Sequence, residues 1–267
     1  MRARTRLDVA VVVATCLGVL VLGADATDDA KPASDVASPS AFAALPASPT
    51  PALEIEKPAQ LSPTRYLSRW SIVRRSTVAH ATAAARSPVV ARLSTTTSDG
   101  TADVLSVLRA KTGADGRLWV EVRLPVLPNN STGWVPRRSL GAYETVTTHL
   151  VVDRRALRAT LFRAGLRVFS APIGIGAAAS PTPAGQFTIR DRLTRYASPF
   201  YGPVAFGTTA RSAVLTDWPD GGFIGIHGTN APQLLPGRVS HGCIRLRNRD
   251  IVRLAGLMPI GTPVTIR

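Results

Sequence analysis

Cysteine is nearly absent from this chain of 267 residues: there are two, Cys16 and Cys243, and Cys16 lies inside an apolar stretch near the N-terminus. Once that stretch is cleaved or embedded in a membrane, Cys243 has no partner within the chain for a disulfide. No CxxC or HExxH spacing occurs, so the common zinc signatures are missing too. Neither GKS nor GxGxxG stands between a strand and a helix, which removes the usual phosphate cradle and with it the expectation of a nucleotide site. Residues 146–267 contain no glutamate and five aspartates, Asp153, Asp191, Asp217, Asp220 and Asp250. Glycoside hydrolysis relies on two carboxylates about 5 to 10 Å apart, and none of the five falls within the histidine- and cysteine-bearing stretch from Phe223 to Leu246. Cleavage of sugar chains is therefore disfavoured. Lysine is scarce as well, 3 against 29 arginines.

What is present divides the chain into four parts. Residues 1–26 read as an export signal or anchor: Arg2, Arg4 and Arg6 precede an apolar run from Val9 to Leu22, and Ala24-Asp25-Ala26 supplies small residues at a cleavage site. The run is 14 residues long, short of the roughly 20 that span a bilayer, which favours cleavage over anchoring; lipid modification of Cys16 is a further option. Each places the remainder outside the cytoplasm, in the cell wall or periplasmic space. Residues 27–64 are rich in Ala, Pro, Ser and Asp with few large apolar side chains. They read as a disordered tether, since such a stretch buries too little surface to offset the entropy of ordering it.

The net charge of +15 belongs to the two downstream parts, +7 over residues 65–145 and +10 over 146–267, against −2 over residues 1–64. Such a balance suits a polymer bearing carboxylates, which arginine holds by two-point contacts. It also suits nucleic acid, but an export signal and the lack of a nucleic-acid motif argue against that partner.

Residues 65–145 carry β signals. Leu118, Val120, Val122 and Leu124 alternate with Trp119, Glu121 and Arg123, the period of a half-buried strand; Val104 to Lys111 offers an earlier strand, with the turn Thr112 to Gly116 between them. Residues 65–85 form a lead-in helix or strand, where His80, between alanines, reads as a surface residue. Residues 146–267 open on the apolar HLVVD, continue through a hairpin about Ala164-Gly165, and close with a helix from Arg249 through Leu257, capped by Asn248, and a last strand from Pro263 to Ile266. Ile251, Leu254 and Ala255 share one face of that helix. The fold class is mainly β: a sandwich preceded by a small barrel-like domain and the tether.

The stretch FIGIHGTNAPQLLPGRVSHGCIRL, from Phe223 to Leu246, holds two of the four histidines and Cys243. A free thiol has a pKa of about 8.5 and needs a base to attack near neutral pH; His227 and His241 are the candidates. Two other readings stand beside this one. Cys243 as an inert buried hydrophobe is opposed by the Ser, His, Gly and Arg that surround it. Zinc held by His227, His241 and Cys243 is opposed by the absence of an obvious fourth ligand.

HGTN followed by SHGCIRL, with TPAG at Thr182 to Gly185 upstream, resembles the catalytic domain of the YkuD-like L,D-transpeptidases, enzymes that cross-link peptidoglycan. The upstream part, ending in STGWVPRRSL, resembles the bacterial Src-homology-type barrels attached to wall enzymes, with a role in binding the wall or in propping the catalytic unit. The first resemblance implies a nucleophile at Cys243, an activating base at His227, and a Gly228 carbonyl that orients that base. It implies a pocket and oxyanion site shaped by Ser240, His241 and Gly242, with backbone N–H groups near Gly242 and Cys243 facing the oxyanion. Arg245, Tyr201 and Asn230 fall at substrate-contacting positions, Tyr201 within an aromatic segment, Ser198 to Gly207, that lines the acyl-donor cleft or plugs the fold. Some members carry asparagine where this chain has Arg245, which changes that substrate contact. The implied reaction is acyl transfer between stem peptides, donor and acceptor, through a thioester, with no cofactor, no metal and sensitivity to carbapenem-type inhibitors. Water in place of the acceptor amine gives an L,D-carboxypeptidase; an inactive wall-binding protein and a metal-dependent hydrolase are the other outcomes.

Overall fold

The computed structural model describes residues 55–62, 66–194, 199–215 and 222–267. The export segment and the tether up to residue 54 lie outside the described residues.

Eight strands form the upstream sheet: β1 (Ala59–Gln60), β2 (Ser68–Ile72), β3 (Thr77–His80), β4 (Val89–Leu93), β5 (Val104–Thr112), β6 (Leu118–Arg123), β7 (Thr132–Pro136) and β8 (Glu144–Val146). They lie in the order β4-β3-β7-β6-β5-β2-β8, with β1 added against β5. Leu105, Val107, Val120, Val122 and Val135 fill its core, each contributing about 1.5 to 3 kcal/mol by leaving water.

Three sequence expectations are corrected here. Residues 55–62, assigned to the tether, are tied to β5: Ile55 and Thr112 exchange hydrogen bonds, and Leu61 donates to the Leu108 carbonyl. The backbone groups of β5 offer partners that composition does not register. Residues 65–85 supply the strands β2 and β3, and His80 is buried, its Nδ1 2.8 Å from the Ser87 carbonyl and its ring edge-on to Trp119. Finally β6 is buried on both faces, because Trp119 sits under His80 and Asp115 while Glu121 pairs with Arg109 and Thr132.

The second part comprises β9 (Thr148–Asp153), β10 (Arg158–Arg163), β11 (Leu166–Pro172), β12 (Gly174–Gly176), β13 (Gly185–Leu193), β14 (Ala205–Arg211), β15 (Phe223–His227), β16 (Gly237–Ser240), β17 (Ile244–Arg245), the helix α1 (Asn248–Ala255) and β18 (Pro263–Ile266). Their order is β11-β10-β9-β18-β13-β14-β15-β17-β12-β16. β13 turns the corner between two layers. Its start, Gly185 to Thr188, pairs with β18, and its end, from Ile189, pairs with β14. Leu150, Val152 and Leu161 from one layer meet Phe206, Ile226 and Ile244 from the other, and α1 adds Ile251 and Leu254. The result is a mainly β sandwich. At the β10–β11 hairpin Ala164 and Gly165 both have positive φ, 48° and 84°, as a tight two-residue turn requires.

One register positions the site. β15 and β17 run parallel, pairing Ile226 with Ile244 and His227 with Arg245. Because strand side chains alternate, Ile224, Ile226 and Ile244 enter the core. Gly225, His227, Cys243 and Arg245 are thereby left on the opposite face.

Candidate active site

Gly225 lies between the side chains of His227 and Cys243. Its N–H donates to Cys243 Sγ at 3.4 Å. A Cβ at that position would fall 3.7 Å from His227 Cδ2 and 3.8 Å from Cys243 Sγ, so ring and sulfur border one gap that only glycine leaves open. His227 Nδ1 is 2.6 Å from the Gly228 carbonyl. That contact assigns the ring proton to Nδ1 and leaves Nε2 with a free lone pair. The ring is 1% exposed. Burial lowers its pKa to about 4, the Gly228 bond opposes that shift, and the Arg245 charge adds to it. Burial pushes the Cys243 thiol up, against the smaller pull of the Gly225 N–H and of Arg245. The resting pair at neutral pH is therefore a neutral thiol beside a neutral imidazole.

The turn that carries the sulfur is held from two sides. Ser240 Oγ donates to the Cys243 carbonyl at 2.6 Å and accepts from Gly242 N–H at 3.1 Å. Thr182 Oγ1 donates to the Gly242 carbonyl at 2.6 Å and accepts from Gly176 N–H at 2.9 Å. Gly242 itself has φ 118°, a backbone state that other residues resist. The Gly242 N–H, one of the amides near the expected oxyanion site, is taken by Ser240 Oγ.

The loop after His227 is fixed from α1. Asn248 does not cap the helix, which begins after Arg247 with no side-chain cap. Its Oδ1 instead accepts from Thr229 N–H at 2.9 Å. A Cβ on Gly228 would meet that oxygen at 2.4 Å and Gly202 Cα at 3.0 Å, so a glycine must follow His227. Asn248 and Thr182 are the positions that sequence reasoning missed. A threonine between prolines and an asparagine opening a helix carry ordinary local explanations, and their partners lie 60 and 19 residues away.

The face opens into a cleft lined by Phe200, Tyr201, Phe223, His227, Cys243 and Arg245. The ring of Tyr201 stands 4.8 Å from that of His227, edge-on. The Arg245 guanidinium lies 4.5 Å over Phe200, and its buried Nε has no acceptor. His241 is exposed and lines the same cleft. Asn230 is exposed and is not among the residues that line it. Among the described residues no group of three or more His, Cys, Asp and Glu is arranged to hold a metal ion.

The profile of the family described as YkuD, L,D-transpeptidase catalytic domain, matches residues 147–266. The Bacillus subtilis protein YkuD is 34% identical over 122 residues, 46% of this chain and 67% of that protein. ErfK/SrfK of Salmonella typhimurium is 34% identical over 160 residues, 52% of this chain and 50% of that one. Among solved structures, the catalytic domain of the E. faecium L,D-transpeptidase aligns with 45% of this chain and 96% of its own at 24% identity and a TM-score of 0.35.

Proposed function

The chain belongs to the YkuD family of L,D-transpeptidase catalytic domains, and from that premise we propose that it cross-links peptidoglycan stem peptides through a thioester on Cys243. The observation that carries this reading is the free Nε2 of His227, aimed by the Gly228 carbonyl, on a ring that borders the same gap as the Cys243 sulfur at an open cleft.

The steps follow from the protonation states. As Sγ bonds to the carbonyl carbon of the diamino acid in a tetrapeptide stem, His227 Nε2 takes the thiol proton. The oxyanion is met by the Cys243 N–H; such a donor is worth about 3 to 4 kcal/mol where measured. Collapse breaks the bond to the terminal D-alanine, whose amine leaves with the proton from His227. An amine of a second stem then attacks the thioester, gives its proton to His227, and forms the cross-link as the thiol is restored. Arg245 and Tyr201 serve the donor. Arg245 offers a cation without an acceptor on its Nε, and Tyr201 walls the base. The export segment read at residues 1–26 supports placing the reaction outside the cytoplasm.

The test is to incubate the purified chain with disaccharide-tetrapeptide and weigh the products. A dimer lighter by one D-alanine, absent with Cys243→Ala, supports cross-linking. A trimmed tripeptide alone makes the enzyme an L,D-carboxypeptidase, and binding without any product makes it a wall-binding protein.

A further inference from the structure

Two cations meet on one ring of the cleft wall, and residues of the upstream sheet place both. Phe223 opens β15, two residues before the Gly225 whose amide reaches the sulfur, and lines the cleft. Arg190 Cζ lies 4.4 Å from its ring centroid and Arg211 Cζ 4.6 Å. Arg190 is 7% exposed, and its Nη2 donates at 2.9 Å to Asp103, 5% exposed, just ahead of β5. Arg211 is clamped through its backbone. Asn129, in the β6–β7 loop, donates to the Arg211 carbonyl at 2.7 Å and accepts its N–H at 2.9 Å.

Stability alone is a poor reason for this arrangement. Apolar replacement of a buried ion pair is often neutral or stabilising, and Arg190 keeps a buried Nε with no hydrogen-bond partner, which carries a further desolvation cost. What the pair does achieve is to fix a guanidinium over an aromatic face, a favourable and directional contact. The second cation comes from a different upstream loop, so two separate connections converge on the same ring.

We propose that the upstream sheet is a working part of the cleft: Asp103 and Asn129 position Arg190 and Arg211 against Phe223, and so hold the wall along which the donor peptide lies. That the occupant is a donor peptide rests on the transpeptidase reading; the clamp on Phe223 does not. The four polar residues are positioning residues, remote from the reacting atoms, so their loss raises the donor concentration needed for half-saturation and spares the limiting rate.

The experiment uses the full chain and the double variant Asp103→Leu with Arg190→Met, which removes the pair without stranding a charge. Asn129→Ala, in a loop, is the second variant, and it keeps the test open should the double variant fail to fold. Acylation by a carbapenem is followed against concentration, melting temperature is recorded, and alkylation of Cys243 by iodoacetamide is read by peptide mass. Expected are a melting temperature near the parent's, a half-saturating concentration raised about tenfold at a limiting rate within about twofold, Cys243 alkylation altered several-fold, and smaller changes of the same sign in Asn129→Ala. Unchanged saturation and unchanged alkylation in both variants overturn the proposal. If the parent forms no adduct with the carbapenem, the transpeptidase reading fails instead, and the alkylation rates alone decide the clamp.

Discussion

The base proposed at His227 is kept neutral by its burial. With a pKa of about 4, it stays neutral well below the ordinary histidine value of roughly 6.5. The acid limb of the acylation rate is accordingly expected near pH 4 rather than 6.5, measured with carbapenem across pH 3.5 to 8. Arg245 is one cause of the lowering, so Arg245→Gln should move that limb upward. The same shift links to stability. The unfolded chain binds a proton at His227 more readily than the folded one, so the stability from this site is complete above about pH 6.5 and falls by roughly 3 kcal/mol as pH drops through about 4. Urea unfolding of His227→Gln should show that much less acid sensitivity than the parent. That Cys243, His227 and Gly228 lie together was legible in the sequence, because they sit in two compact motifs. The neutral resting pair was not, because protonation follows from burial, and no motif encodes burial.

At the scale of elements, the turn bearing the sulfur depends on the loop between β12 and β13. Thr182→Val keeps the shape of the side chain but strands the Gly176 N–H and frees the Gly242 carbonyl. A cost of about 1 to 3 kcal/mol in stability is expected, together with at least a tenfold fall in the limiting acylation rate, while Thr182→Ser stays close to the parent in both. Stopped-flow acylation beside thermal melts separates the two effects. Alternation revealed β6 from the sequence, Val104 to Lys111 read as the strand before it, and a turn pair revealed the β10–β11 hairpin. What alternation does not reveal is a second layer over the polar face, as on β6, where Trp119 and Glu121 are buried along with the valines. Nor does it show that Asn248, in the first turn of α1, turns away from the helix to hold the loop after His227.

Across the whole molecule, the change in sequence character between residues 145 and 146 suggested two domains, yet one residue, Thr147, separates β8 from β9. The two sheets are also bonded across their join. Thr188 Oγ1 donates to Ser106 Oγ at 3.0 Å and Gln186 N–H to Asn130 Oδ1 at 2.6 Å. Trp70 packs against Gly261, where a Cβ would fall 2.0 Å from its ring and φ is 82°. A single calorimetric unfolding transition follows, and Gly261→Ala should lower its midpoint. Composition and charge carry no trace of long-range contacts, and so none of the bonds that join the sheets. All of this serves one chemical claim, that Cys243 is acylated with His227 as its base. The most direct measurement is the intact mass of the full chain after incubation with a carbapenem, followed by peptide mapping. The account predicts one added inhibitor mass on the peptide containing Cys243, absent in Cys243→Ala and formed far more slowly in His227→Gln. Acylation of another residue, or an adduct that persists in Cys243→Ala, would contradict it.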